Sequence, residues 1–164
     1  MNKTIVIYGS STGTCEAIAE KIASKLGADV LNVQDLTPEI VAENQNLILG
    51  TSTWGAGELQ DDWYDGLKVL QGADLSGKLI ALFGCGDSES YSDTFVGGIG
   101  ELYNGIKQSG ARFVGAVSTE DYTFDDSEAV IDGQFVGLPL DDVNEDDKTD
   151  TRIDAWIAAI SPNL

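Results

Sequence analysis

Ile5-Val6-Ile7-Tyr8-Gly9-Ser10-Ser11-Thr12-Gly13-Thr14-Cys15-Glu16 decides the fold. With Thr4 it opens as a β-branched and apolar run, the mark of a strand buried on both faces. It breaks at Gly9 into a turn of hydroxyl residues and glycine. It then opens a helix whose Ile18, Ile22 and Leu26 share one face. A helix N-terminus leaves its first backbone N–H groups outside the ladder and carries a partial positive charge. Ser10, Ser11, Thr12, Gly13, Thr14 and Cys15 therefore read as a cradle for a tetrahedral anion such as phosphate. Serine and threonine are also ordinary capping residues, so the stretch alone leaves a plain capped turn open.

Working outward, strand and helix patterns alternate. Asp29 to Val33, Asn46 to Gly50, Lys78 to Gly84 and Arg112 to Val117 read as further strands. Helices are expected from Asp61-Asp62 to Gly72, with Trp63, Leu67 and Leu70 inward, and over Ile99, Leu102, Tyr103 and Ile106. A last helix is expected to be capped near Thr149 or Thr151 and to bury Ile153, Trp156, Ile157 and Ile160 before Pro162. Residues 120–141 do not read as helix, and Val130 to Val136 reads as a hairpin turning at Asp132-Gly133. The class is α/β, a parallel sheet with helices on both faces, and residues 1–164 are expected to form one domain.

Right-handed crossovers bring the ends of strands one, three and four to a common edge, where ligands bind in such sheets. Three unusual loops follow those strands: residues 9–15, 51–58 and 85–93. The second runs Thr51, Ser52, Thr53, Trp54, Gly55, Ala56, Gly57, Glu58, and the third runs from Cys85, Gly86 and Asp87 through Tyr91 to Asp93. Trp54 and Tyr91 could flank a flat conjugated ligand, burying its two faces. Asp87 and the backbone of Gly55 to Gly57 could bond its polar edge, although Asp87 could equally close an Asx turn.

Composition narrows the chemistry. The 164 residues carry 28 Asp and Glu against 9 Lys and Arg, a net charge of −19. That field repels nucleic acid and anionic membrane surfaces and attracts basic protein surfaces. The chain has no histidine, which removes the commonest general base and metal ligand. Its two cysteines, Cys15 and Cys85, form no CxxC pair and are expected to stay reduced in a cytoplasmic protein. No signal peptide or membrane span is visible in the sequence. Other folds with similar patterns need residues absent here. A receiver domain needs an acidic pair after strand one, where Gly9-Ser10 stand. A dinucleotide-binding domain needs GxGxxG there. A low-molecular-weight phosphatase needs an arginine six residues after its cysteine, where Lys21 and Tyr91 stand.

Ser10-Ser11-Thr12-Gly13-Thr14, the loop Thr53-Trp54-Gly55-Ala56-Gly57-Glu58-Leu59, and Gly86-Asp87 with Tyr91 resemble the FMN-binding loops of flavodoxins. The likeness runs along the whole chain, and the segment from about Glu120 to Leu140 resembles the insertion of long-chain flavodoxins. The resemblance implies a flavodoxin-like three-layer sandwich, with a five-stranded parallel sheet of order 2-1-3-4-5 and an insertion in the last strand. It also implies noncovalent FMN, phosphate on residues 10–15, Trp54 on one ring face and Tyr91 on the other. The family more often has threonine at position 15, and the Cys15 thiol is a weaker donor than a hydroxyl. The implied activity is single-electron transfer at low potential. The alternative is an FMN-dependent NAD(P)H oxidoreductase acting on a small substrate such as a quinone. Partners would be basic redox proteins, reductase-type donors and low-potential acceptors, docking on a monomer at the flavin edge. The 12 acidic residues against one basic residue in 120–150, together with Glu58, Asp61, Asp62 and Asp65, would steer them.

Overall fold

The computed structural model describes residues 3–9, 13–54 and 58–164. Strands β1 (Thr4–Gly9), β2 (Asp29–Asn32), β3 (Asn46–Trp54) and β5 (Leu79–Cys85) form a parallel sheet in the order β5-β3-β1-β2. The short β4 (Glu58–Leu59) folds back antiparallel on the end of β3. Position five of the sheet is shared by two strands. β6 (Arg112–Val114) pairs with Leu79 to Ala81 of β5, and β10 (Leu138–Leu140) pairs with Phe83 to Cys85. The expected order 2-1-3-4-5 and the insertion into the last strand are therefore both present.

The central runs Ile5 to Ile7, Leu47 to Leu49 and Leu79 to Phe83 are apolar because both faces are covered there. Ile5, Ile7, Leu47, Leu49, Ile80 and Leu82 pack on one side with α3 (Asp62–Gln71) and α4 (Gly97–Ile106). Val6, Ile48, Ala81 and Phe83 point the other way, onto α1 (Thr14–Leu26) and α5 (Asp146–Ile160). This alternation is the two-residue period of a strand.

The fifth strand was expected to run to Val117, but the chain leaves the sheet after Val114. Gly115 takes φ 86°, and a Cβ there would lie 2.5 Å from Nε1 of Trp156. The left-handed turn sends β7 (Val117–Ser118) out to pair with β9 (Gln134–Phe135), which also pairs with β8 (Val130–Ile131). The expected hairpin is present, with Asp132 and Gly133 both at positive φ, as a type I′ turn requires. Phe135 is fully buried between Phe95, Tyr122 and Phe124, which ties the insertion to the sheet. Arg152 adds a clamp from α5. Its side chain is 7% exposed, pairs with Asp121 and Glu145 at 3.2 Å, and lies 4.0 Å over the Tyr122 ring.

Two further departures from the sequence expectation have plain causes. α5 begins at Asp146, not near Thr149 or Thr151, because Asp146 and Asp147 complement the helix dipole in its first turn. The Thr149 hydroxyl instead donates to Asp142 Oδ1 at 2.8 Å. The one-and-a-half-turn helix α2 (Pro38–Glu43) was not expected, although Thr37-Pro38 is a start signal and Thr37 Oγ1 accepts from Ile40 N.

Gly50 lies so close to Phe83 that a Cβ would sit 2.0 Å from its Cζ. Phe83 cannot yield freely, since it is buried and meets Trp156 edge-on at 6.3 Å. Gly50→Ala should therefore cost about 1–3 kcal/mol through overpacking. Urea unfolding should show a lower midpoint at unchanged slope.

Candidate cofactor site

The parallel ladders fix where the site forms. Gly9 pairs with Thr51, Thr51 with Gly84, and Ser52 with Cys85, so three strands end together at one edge. Gly13 sits at that edge as the N-cap of α1 with φ 89°. The first intrahelical bond runs from Ala17 N to Gly13 O at 3.0 Å, which leaves the N–H groups of the first turn facing the edge.

A cleft of about 170 Å³ opens there. Thr14 and Ser52 line one side of it. Cys85, Gly86, Asp87 and Tyr91 line another, and Asp142 and Val143 complete it. Tyr91 is 50% exposed at the cleft. The structure thus brings together Thr14, Ser52, Cys85, Gly86, Asp87 and Tyr91 from the sequence-derived set.

Other members of that set stand differently. Thr51 is fully buried behind the cleft, where its Oγ1 accepts from Gln60 N at 3.3 Å and braces the junction of β4 and α3. Thr51 to Trp54 belong to β3, so the second loop is the end of a hairpin. Ser52 Oγ donates to Gly9 O at 3.4 Å and links the first two loops. Asp93 is exposed and does not line the cleft. Ser10, Ser11, Thr12, Gly55, Ala56 and Gly57 lie outside the described residues, as do the side chains of Thr53 and Trp54.

Asp87 is committed to its own loop. Its Oδ1 accepts from Ser90 N at 2.9 Å, Glu89 N at 3.2 Å and Asn144 Nδ2 at 2.7 Å. The Ser90 N–H and the Asn144 amide hold its carboxyl below the usual carboxylate range against the opposing effect of burial. What Asp87 presents to the cleft is thus a shaped Asx turn.

Cys15 and Cys85, far apart in sequence, meet in the core beneath the cleft. The Cys15 thiol is hydrogen-bonded to Cys85 and fully buried, and both effects push its pKa well up. The Cys15 side chain is therefore part of the core, and only its backbone is left at the start of α1.

Sequence reasoning missed the segment 141–144. Asp141 has no exposed surface, and its carboxylate accepts from Ser88 N, Ser88 Oγ, Val143 N and Asn144 N. Burial alone would raise its pKa, but the hydrogen bonds from Ser88 and Asn144 outweigh burial and leave it below the ordinary value. The usable signal was position: Asp141 follows the last strand, so it had to emerge at the same edge as the other loops.

A family model described as Flavodoxin matches residues 6–156. Flavodoxin 1 of Azotobacter vinelandii is 44% identical over 167 residues, covering 98% of this chain and 96% of the relative. A flavodoxin of Helicobacter pylori is 41% identical over 161 residues, covering 98% and 97%. Among solved structures, Fusobacterium nucleatum flavodoxin bound to flavin mononucleotide superposes with a TM-score of 0.94 at 32% identity, covering 100% of this chain and 99% of that one.

The thiol pair yields a test of the packing under the cleft. In the native protein at pH 8, an aromatic disulfide reagent should modify Cys15 only on the timescale of unfolding, because a buried thiol of raised pKa supplies little thiolate. Both thiols should titrate at once in denaturant. Rapid modification of Cys15 in the folded state would show that the helix start is open.

Proposed function

The chain belongs to the flavodoxin family, and from that premise we propose that it carries single electrons at low potential between proteins on a noncovalently bound FMN. The observation that carries this reading is the convergence at one sheet edge of the α1 N-terminus, Ser52 and the Tyr91 loop around a single cleft. FMN supplies the redox chemistry when bound, and the protein supplies binding, orientation and electrostatics.

The residues present fit that group. Ser10, Ser11, Thr12, Gly13, Thr14 and the Cys15 N–H would take the phosphate at the positive end of α1, where backbone donors and helix dipole replace a basic side chain. Tyr91 would cover one ring face and Trp54 the other, with the backbone of residues 55–57 and 86–87 on the polar edge. Asp87 and Asp142 line the cleft, and the buried Asp141 lies next to Asp142 in the chain; Asp87 and Asp141 are both held ionised. Their charge opposes added negative charge on anything bound there, which lowers its reduction potential. The enzyme alternative is not favoured, since the family and the named relatives are flavodoxins.

Docking follows from the same surface. The charge of −19 favours basic redox partners, and the half-exposed Tyr91 and the 69% exposed Val143 place apolar area at the cleft mouth among carboxylates. Residues 1–164 then act as one domain, a cytoplasmic monomer. Among the described residues, no helix is long and apolar enough to cross a membrane.

Two experiments check this reading. Protein reconstituted with FMN should be yellow and should pass, during anaerobic reduction, through a half-reduced stage with a new long-wavelength band. A colourless protein that takes up no FMN would overturn the proposal. Electron transfer from a basic reductase should slow as salt rises from about 10 to 150 mM, because the screening length falls from about 30 to about 8 Å. A rate indifferent to salt would remove charge steering.

A further inference from the structure

Two chain segments form the far wall of the cleft, each closed by its own turn and joined to the other by side chains. One is the loop after β5, carrying Asp87, Ser88 and Tyr91. The other is the loop after β10, carrying Asp141, Asp142 and Val143. Backbone pairing joins them only at the base, where Gly86 N donates to Leu140 O at 2.9 Å. Beyond that point they are joined through Asp141 and Asn144.

Asn144 is the shared donor. Its Nδ2 lies 2.7 Å from Asp87 Oδ1, 2.9 Å from Asp141 Oδ2 and 3.2 Å from Asp141 Oδ1. A carboxylate only accepts, so both neighbours require the NH2 end of the amide, and its two hydrogens serve one carboxylate each. Hydrogen bonds from Ser88, Ser90 and Asn144 keep both carboxylates ionised. Two negative charges are thus held together across the wall by one neutral amide and by the Ser88 bonds to Asp141. Tyr91 hangs directly on this arrangement, since Tyr91 N donates to Asp87 O at 3.0 Å within the turn that Asp87 Oδ1 closes.

We propose that Asn144 is a positioning residue of the cofactor cleft: by bridging the Asp87 and Asp141 carboxylates, it sets the Tyr91 wall against the ligand. The proposal rests on FMN being the occupant. Removing the amide leaves two carboxylates facing each other without their common donor. Repulsion then opens the loop, and Tyr91 moves with it.

The experiment uses the full chain and titrates the apoprotein with FMN, following quenching of flavin fluorescence. Asn144→Ala should weaken FMN about tenfold, the scale of one lost charge-assisted hydrogen bond. Asn144→Asp, which keeps the size but adds a third carboxylate, should weaken it at least as much. Adding Asp87→Asn to Asn144→Ala removes the repulsion and should recover most of the affinity. In a Tyr91→Ala background, Asn144→Ala should cost less than about threefold, because its effect passes through Tyr91. A merely structural residue would weaken binding equally in both backgrounds, and that result would overturn the proposal. Affinity of Asn144→Ala within about twofold of the parent would also overturn it. Failure of the unmutated protein to bind FMN would instead refute the cofactor reading itself.

Discussion

The parallel register that sets Gly9 beside Thr51, Thr51 beside Gly84 and Ser52 beside Cys85 is the constraint on which the rest of the structure depends. It delivers three chain segments to one edge with no freedom to slide, since a one-residue slip would exchange the side chains packed under α3 and α4 with those packed under α1 and α5. Tight packing behind the edge locks it. The Trp63 indole donates to Gly50 O at 2.7 Å, and Phe83 fills the space that Gly50 leaves empty. The helix start, the β3 end and the Tyr91 loop are positioned by this ladder.

The insertion acts on the same site from behind. Asp125 and Asp126 donate backbone N–H bonds to Ser92 O at 2.8 and 2.9 Å, and Ser127 Oγ bonds Phe95 O. The loop carrying Tyr91 is therefore braced on one side by the insertion and on the other by the segment after β10. Splitting position five between β6 and β10 achieves both, because the chain leaves the sheet, supports the loop and returns beside β5. Electrostatics obey the same division of labour. An acidic chain can seat a phosphate where backbone N–H groups and a helix dipole provide the field, while carboxylates stand where negative charge is to be discouraged.

Much of this was legible in the sequence, for physical reasons. Buried strands such as Leu79–Cys85 announce themselves by continuous apolar runs, Asp132-Gly133 by the positive φ its turn demands, and Gly27 by ending α1. Thr14, Ser52, Gly86 and Tyr91 could be placed at one sheet edge because position after a strand is a local signal. Three things were not legible. Gly115 turns the chain at positive φ where any Cβ would collide with Trp156, 41 residues away, which no window reveals. Cys15 and Cys85 touch only because α1 packs over β5. Asp141 and Asn144 looked like two more polar residues in a run of carboxylates, and only the fold distinguishes a buried structural charge from a solvated one.

Mapping FMN onto the chain tests the central claim, that one sheet edge gathers the loops which hold the cofactor. Backbone amide shifts of the apoprotein, recorded as FMN is added, should move at Gly13 to Cys15, Ser52, Gly86 to Tyr91 and Asp142 to Asn144. Amides lining the separate groove between Val117 and Trp156 should stay in place. Shifts confined to that groove, with the α1 start and the Tyr91 loop unmoved, would contradict the account.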